Sequence, residues 1–401
     1  MTTRPFAQPS PAHGPTPRPL HGPWVQRRNL MVALGASTAA MSLPLWAQPS
    51  AASKADILIG RSTALTGGMA PFLAPLHEGQ EAAIADANAK GGIGGRKIRL
   101  VSLDDGFDPR RTLENAKQLN EKDGVLALLG VSGTSQVMTL LPYLAQAKLP
   151  LIGVYTGSPA IRAQQHPYLF TTRASYADEL VKIVRNLVAV QSSRIGVAFE
   201  NNDFGKLLLP LVEKTIAAEG ASLAGTHALA AAGEDANEAA KALAAQRPQA
   251  VLLIAAGPPV VAYVRAHRAH LGVPVYTLSL GAGTAMLKAL GEDARGLAVA
   301  RTGPSPSKPT IQLTRDFQAS MKHHDKPVDY DRYTGYMDAR VLIEGLRAAG
   351  PGVTRASLVQ GMESLGNLDL GGYAYQFSPQ NHHGSNYVDI AVVGSGGVFR
   401  Q

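Results

Sequence analysis

Three hydroxyl side chains are concentrated in one short loop of this chain. Ser132, Thr134 and Ser135 occur in GVSGTSQ, which follows the apolar run VLALLG and precedes a helical pattern. Free backbone N–H groups and the helix dipole favour an anion at the start of a helix, and Gly133 lets the backbone approach a ligand closely. The residue types suit a loop that binds a ligand carboxylate, and they suit ordinary N-capping by Ser or Thr equally well.

A second pair of polar residues follows the next apolar run along the chain. Tyr155 and Thr156 come directly after LPLIGV (149–154), at the carboxyl end of a predicted strand. Because ligands of open α/β sheets bind at that end of the strands, both side chains are candidate ligand contacts. A simple Thr-Gly-Ser-Pro turn is the alternative.

The remaining polar residues give little support to catalysis or metal binding. Asp104 and Asp105 resemble a general acid–base pair, but no base or metal-ligand set accompanies them, which favours a solvated loop that leads into a helix. The histidine pairs at 323–324 and 382–383 lack a partner at ligand spacing, which favours exposed positions. The chain has no cysteine and no Gly-x-Ser-x-Gly motif, which excludes thiol catalysis and disfavours a serine hydrolase. We expect no enzyme activity, no metal and no cofactor.

These loops belong to a chain that alternates apolar runs with helical patterns. The runs are continuously apolar, as expected for strands of a sheet that is covered on both faces. Strands are predicted at 56–61, 98–103, 125–130, 149–154, 194–200, 250–256, 273–279 and near 373–377 and 387–393, and helices at 76–90, from about 135, at 204–219, 259–270 and 333–348. Two successive sets of such units predict an α/β fold with two doubly wound parallel-sheet lobes.

One segment shows this order most clearly, AKGGIGGRKIRLVSLDDGFDP (89–109). Its glycines, Gly91 and Gly92, are expected to end a helix because glycine accepts the left-handed cap conformation. After the strand at 98–103, Asp108 suits an N-cap and Pro109 suits the first helical position. The loop between strand and helix lies where α/β sheets bind ligands.

The first 47 residues differ from the rest of the chain. Arg27-Arg28 precede an apolar run (30–45) and small residues around Ala47, which predicts an export signal. The adjacent arginines resemble a twin-arginine signal, and we expect cleavage after residue 47, with sites after 51 or 52 as alternatives. A membrane anchor is disfavoured because the run is short and interrupted by glycine, proline and hydroxyl residues.

The formal charge of the chain also depends on this leader. The charge is +8 for the whole sequence, and the four arginines and no acids of residues 1–47 reduce it to +4 for the remainder. No basic stripe is present, so we expect no nucleic acid partner. A hydrophobic content of 45% and a charged content of 17% indicate a globular protein.

The segments described above resemble, in order, type I periplasmic binding proteins of the Leu/Ile/Val-binding class, which serve ABC importers. The resemblance covers about residues 55–400 and rests on LTG (65–67), GQEAAIADANAKGGIGGRKIRLVSLDDGFDP, GVSGTSQ, LPLIGVYTGSP, ENNDFG (200–205) and YTGYMDA (333–339). It implies two lobes that close on a ligand at a hinge with three chain crossings, near 173–174, 301–302 and 377–378. Lobe one then comprises 55–173 and 302–377, and lobe two comprises 174–301 and 378–401.

The resemblance also implies roles for individual residues. The loop of Ser132 to Ser135 and that of Tyr155 and Thr156 are expected to hold the ligand carboxylate. Phe204 and Phe72 are expected to cover the ligand from opposite lobes, with core packing as the alternative. Tyr330 and Tyr333 are further candidate pocket walls. The implied partners are a small amino acid or related carboxylate and an ABC permease of the inner membrane, with the protein itself in the periplasm.

One departure from the family concerns the amino group of the ligand. Amino-acid binders of this class carry an acid after the strand at 273–279, and this chain has Leu280 there, with no Asp or Glu from Tyr276 to Leu290. A buried ammonium without a counter-ion is unfavourable by several kcal/mol. The sequence therefore predicts a ligand without a free α-amino group, such as an aromatic or branched acid, with Asp203 as the alternative counter-ion.

Two other functions remain open at this point. A sensory protein that presents a bound solute to a receptor or regulator would use the same fold. An enzyme would require a nucleophile and a base within the cleft.

Overall fold

The computed structural model describes residues 55–163 and 165–400, so the predicted export signal lies outside the described residues. In these ranges the strands are β1 (Ile57–Thr63), β2 (Ile98–Asp104), β3 (Ala127–Leu129), β4 (Leu151–Ile152), β5 (Leu169–Phe170), β6 (Arg194–Glu200), β7 (Ser222–Leu229), β8 (Ala250–Ile254), β9 (Val275–Thr277), β10 (Ala298–Arg301), β11 (Gly366–Asp369), β12 (Ala374–Phe377), β13 (Asp389–Val393) and β14 (Phe399–Arg400). The helices are α1 (Ala70–Ala89), α2 (Pro109–Glu121), α3 (Thr134–Ala147), α4 (Pro159–Arg162), α5 (Tyr176–Ala189), α6 (Asp203–Ala218), α7 (Ala236–Ala245), α8 (Pro258–His270), α9 (Thr284–Leu290), α10 (Gln312–His323), α11 (Tyr330–Ala349) and α12 (Arg355–Glu363).

The strands form two large sheets, and the predicted α/β fold with two parallel-sheet lobes is confirmed. The first sheet is wholly parallel, in the order β2-β1-β3-β4-β5. The second has the order β14-β13-β10-β9-β8-β6-β7 and is parallel from β10 to β7, while β13 and β14 add an antiparallel edge. We call the first sheet with its packed helices lobe 1, and the second lobe 2.

Each lobe has its own hydrophobic core. Residues of α10, α11, α12, β11 and β12 pack against the first sheet, so the chain returns to lobe 1 after β10. Val393 and Phe399 pack with the core of lobe 2, so the chain then returns to lobe 2. The exact lobe limits, 55–173 with 302–377 and 174–301 with 378–401, stay a prediction.

The segment that connects α1, β2 and α2 has the predicted order. Gly91 and Gly92 adopt positive φ angles of 96° and 66°, and the Gly92 N–H donates to the Ala87 carbonyl at 2.9 Å. The Asp108 carboxylate accepts hydrogen bonds from the backbone of Arg110 and Arg111 and caps α2. Helix α1 begins six residues before the predicted start because Pro71 lies in its first turn, where proline is tolerated.

Helices α1 and α11 approach each other closely in lobe 1. A Cβ atom at Gly79 of α1 would overlap the carbonyl oxygen of Arg332, and one at Gly335 of α11 would overlap the carbonyl oxygen of Leu76. These glycines therefore let the two backbones come into contact, which fixes α11 against α1.

We predict that Gly79→Ala lowers the free energy of unfolding by about 1 to 3 kcal/mol, because the added methyl group must separate two backbones. The measurement is urea unfolding of the variant beside the unmodified protein. Gly272→Ala is the control, since a Cβ there meets nothing within 4 Å. Equal unfolding free energies for both variants would contradict the close-contact interpretation.

Candidate functional site

A cavity of about 260 Å³ lies between loops of the two lobes. Its lobe 1 wall comes from the loops after β2 and β3 and from the residue before α1, and its lobe 2 wall comes from the loops after β6, β8 and β9. These are carboxyl ends of parallel strands, where α/β proteins bind ligands. We call it the cleft cavity; its lining is Met69, Phe107, Pro109, Gly133, Thr134, Ser135, Gln136, Tyr176, Glu200, Asn202, Asp203, Phe204, Ala256 and Leu280.

The predicted carboxylate loop forms part of this wall. Gly133, with a positive φ of 97°, precedes α3 and lines the cavity together with Thr134 and Ser135. The first N–H groups of α3 have no acceptor within the helix. Ser132 is buried behind the wall, and its Oγ donates to the Gly130 carbonyl at 3.4 Å. The loop thus presents a helix N-terminus and two hydroxyl residues to the cavity.

The two candidate residues of the second predicted loop, Tyr155 and Thr156, have different surroundings. Thr156 is buried, and its Oγ1 lies 2.9 Å from Thr134 Oγ1, so the two predicted loops are joined by a hydroxyl pair. The Tyr176 hydroxyl donates to Thr156 Oγ1 at 3.4 Å. Tyr155 is not among the residues that line the cleft cavity, and its hydroxyl donates to Asp331 Oδ1 at 3.3 Å.

The predicted aromatic and apolar residues also have different locations. Phe204 lines the cleft cavity, with its ring 5.5 Å from that of Tyr176 in an edge-to-face contact. Leu280 lines the same cavity. Phe72 is half-buried against the core of lobe 2, while its neighbour Met69 supplies the cavity wall. Tyr330 lines a different cavity, described below.

Two carboxylates line the lobe 2 wall, although none lies on the loop of Leu280. Glu200 is 9% exposed, and it accepts hydrogen bonds from Asn202 Nδ2 at 2.7 Å and from the Ala256 N–H at 3.2 Å. Burial raises the pKa of Glu200. Asp203 is exposed and accepts a hydrogen bond of 3.4 Å from Ser135 Oγ, which is a contact between the lobes. Sequence reasoning identified only the second of these acids.

A buried charged cluster lies at the hinge. Glu179 of α5 is fully buried and accepts from the Ser279 N–H at 2.7 Å and from Ser279 Oγ at 2.8 Å. Arg173 Nη2 contacts the same Oγ and lies 3.7 Å from Glu179 Oε1. Burial raises the pKa of Glu179, although Arg173 and the hydrogen bonds from Ser279 oppose that shift.

A second contact between the lobes is made by Asp331. Its Oδ2 accepts from the Thr284 N–H at 2.5 Å, at the start of α9 in lobe 2, and its Oδ1 accepts from Tyr155 in lobe 1. Asp331 was not singled out from the sequence, because its spacing on α11 gave no sign that it faces the other lobe.

The two aspartates predicted to lead from a strand into a helix, Asp104 and Asp105, accept hydrogen bonds from neighbouring segments. Asp104 accepts hydrogen bonds from Leu65, Thr66 and Gly106, which lower its pKa. Asp105 is 2% exposed rather than solvated, because Ser62 and Thr112 donate to its carboxylate.

Tyr333 is fully buried and stacks on Phe317 in the core of lobe 1, with ring centroids 4.5 Å apart.

The predicted exposure of the histidine pairs is wrong in part. His382 is 3% exposed. Its ring stacks on that of Phe170 with centroids 4.0 Å apart, and its Nε2 lies at hydrogen-bond distance, 3.2 Å, from Glu363 Oε1. His324 pairs with Asp86 at 2.9 Å. Within residues 55–163 and 165–400, no group of three or more His, Asp or Glu side chains could hold a metal ion.

Comparison with known proteins identifies the family. The family model described as "Periplasmic binding protein" matches residues 56–397. The chain belongs to the periplasmic binding protein family. The class predicted from the sequence, type I proteins of the Leu/Ile/Val-binding kind, is confirmed. A Leu/Ile/Val-binding protein homolog 2 of Brucella abortus is 44% identical over 78 residues, which are 20% of this chain and only 21% of the relative's length.

Solved structures extend this similarity over the whole described fold. A possible leucine/isoleucine/valine-binding protein from Rhodopirellula baltica superposes with a TM-score of 0.80 and 26% identity, covering 87% of this chain and 97% of the other. An extracellular ligand-binding receptor from Verminephrobacter eiseniae gives a TM-score of 0.77 and 27% identity, covering 86% and 100%. Both of these proteins are described as binding a ligand. In the described part of this binding protein, no helix has both the length and the apolarity to cross a membrane.

A buried carboxyl at the first crossing makes the stability of this binding protein depend on pH. Asp338 of α11 accepts from Thr172 Oγ1 at 2.5 Å, and burial raises its pKa to about 7 although Thr172 and Arg173 lower it. The unfolded chain releases this proton near pH 3.9, so it holds fewer protons than the folded chain between about pH 4 and 7. The stability contributed by protonated Asp338 is therefore lost as the pH rises through that range.

We predict that Asp338→Asn removes this loss, because asparagine stays neutral and keeps the size of the side chain. The measurement is the melting temperature from pH 4 to 8 for the variant and the unmodified protein. Glu234→Gln, at an exposed position, is the control and should keep the original profile. The same pH dependence in Asp338→Asn would show that another group controls it.

Proposed function

We propose that this protein captures a small carboxylate-bearing ligand between its two lobes in the periplasm and delivers it to an ABC permease of the inner membrane. The observation that carries this proposal is the cleft cavity itself, because the lining comes from strand ends of both lobes. A ligand held by both walls stabilises the closed arrangement over the open one, as hinge closure requires.

The lobe 1 wall supplies the carboxylate site in this proposal. The N-terminus of α3 has the polarity that an anion needs, and Thr134 adds a hydroxyl that is held in place by Thr156 at 2.9 Å. Phe204 and Leu280 supply apolar contacts from lobe 2. This division suits a short acid with a branched body.

The lobe 2 wall supports a ligand without a free α-amino group. Leu280 occupies the wall where an acid was expected for an amino-acid binder. Glu200 also lines this wall and could in principle pair with an ammonium group. Both of its carboxylate oxygens, however, already accept hydrogen bonds, from Asn202 and Ala256. Asp203 is exposed, so water weakens its attraction for a cation.

The ligand proposal is tested with a matched pair of compounds. Leucine and 4-methylpentanoate differ only in the α-amino group, and calorimetry on refolded protein should show binding of 4-methylpentanoate and much weaker binding of leucine. A ligand at 100 times its Kd should stabilise the fold by about 2.7 kcal/mol, which also raises the melting temperature. Thr134→Val should weaken binding about tenfold through loss of one hydrogen bond to a charged group.

Tight binding of leucine would contradict the absence of an amino group in the ligand. In that event Glu200→Gln distinguishes the cause, because loss of leucine binding in this variant would identify Glu200 as the counter-ion. Met138→Ala, an exposed residue of α3 outside the cavity, is the control and should bind as the unmodified protein does. Chemical turnover of the ligand would contradict a binding role altogether.

A sensory role is the second candidate. It is favoured by the similarity to the protein from Verminephrobacter eiseniae that is described as an extracellular ligand-binding receptor. The same lobe closure would then present the bound solute to a receptor or regulator. Uptake of labelled ligand by cells with and without the gene separates the two roles, because only the importer component is required for transport.

A further inference from the structure

A second and larger cavity lies between the start of α11, helix α9 and the C-terminal strand β14. Its volume is about 440 Å³, within the range of about 300 to 1,000 Å³ that is usual for small-molecule sites. It shares no lining residue with the cleft cavity. We call it the C-terminal cavity. It contains Tyr330, which the sequence had suggested as a pocket wall.

Arg301 lines this cavity and is held by two aromatic rings. Its side chain is at the end of β10, and the residue is 3% exposed. The guanidinium carbon lies 4.2 Å from the ring centroid of Tyr330 and 3.9 Å from that of Phe399. Stacking of this kind fixes the plane of the guanidinium and leaves its edge for hydrogen bonds.

Most N–H donors on the edge of the Arg301 guanidinium make no hydrogen bond with the described residues. A guanidinium has five N–H donors, and among the described residues Arg301 makes one hydrogen bond, from Nη2 to the Ala282 carbonyl at 3.0 Å. Its Nε is buried without a partner. In the same part of the chain, no carboxylate lies within the 4.0 Å of an ion pair with Arg301. A buried charge in this state is unfavourable unless an anion joins it.

The aspartates around the cavity already have hydrogen-bond or ion-pair partners of their own. Asp329 pairs with Arg332, and Asp331 accepts hydrogen bonds from Thr284 and Tyr155. Lys288 and Glu292 both line the rim, are exposed, and have opposite signs. Among the described residues, Arg301 thus has no carboxylate within ion-pair distance, although Asp331 and Glu179 attract it from farther away.

We infer that the C-terminal cavity is a second ligand site, for a small carboxylate with an apolar body, in which Arg301 binds the carboxylate through its free edge. The planar fork of arginine matches two carboxylate oxygens. Leu287, Val328 and Val398 provide apolar walls for the body of the ligand. The site is separate from the cleft cavity, so the inference does not depend on the proposed function.

The test uses benzoate as the probe and refolded protein from which bound molecules have been removed. Calorimetry should show benzoate binding to the unmodified protein, and Arg301→Gln should weaken it about tenfold or more, as expected for a charged hydrogen-bonded pair. Arg340→Gln is the matched control: Arg340 also stacks on a tyrosine, Tyr336, at 5.7 Å, but lies outside this cavity. It should bind benzoate normally.

Two further variants keep the outcome decisive. Leu287→Trp fills the cavity without changing Arg301, so it should abolish benzoate binding even if Arg301→Gln does not fold. Met138→Ala, at an exposed position outside both cavities, should leave benzoate binding unchanged. The inference is overturned if the unmodified protein does not bind benzoate, if Arg301→Gln folds and binds it equally well, or if Leu287→Trp folds and still binds it. Failure of 4-methylpentanoate to bind would instead count against the cleft proposal alone.

Discussion

The buried carboxylate of Glu179 is the interaction on which the arrangement of the cleft depends. It accepts two hydrogen bonds from Ser279 and lies 3.7 Å from Arg173 at the first chain crossing. A fully buried carboxylate needs such partners, because an unpaired charge in the protein interior is unfavourable by several kcal/mol. The segment that carries Leu280 to the cavity wall is therefore fixed relative to α5 and to the crossing.

Contacts between the lobes lie on both sides of the hinge. Ser135 reaches Asp203 across the cleft cavity, and Asp331 of lobe 1 accepts a hydrogen bond from Thr284 of lobe 2. Contacts of this kind exist only when the lobes are together, so they add to whatever stabilisation a ligand provides. Both arginines at the crossings stack on aromatic rings. Among the described residues, only Arg173 also has a carboxylate, that of Glu179, within ion-pair distance.

Local signals in the sequence were sufficient for much of the fold. Strand β6 has the predicted limits, 194–200, and Asp108 caps α2 as expected, because continuous apolar runs and cap residues act over a few neighbours. Strand β7 was missed since SLAGTHAL is mostly half-exposed and lacks an apolar run. The site was predicted less completely. Gly133 to Ser135, Phe204 and Leu280 do line one cavity, but Glu200 and the role of Arg301 depend on burial and on contacts between distant segments, which no local pattern encodes.

The central claim is that a small acid binds between the lobes and holds them together. Small-angle X-ray scattering of the protein without its predicted export signal, with and without 4-methylpentanoate, tests it most directly. The account predicts a smaller radius of gyration with the acid. At an acid concentration near the Kd of the unmodified protein, it predicts a much smaller decrease in Thr134→Val. Binding of the acid with an unchanged radius of gyration would contradict the account.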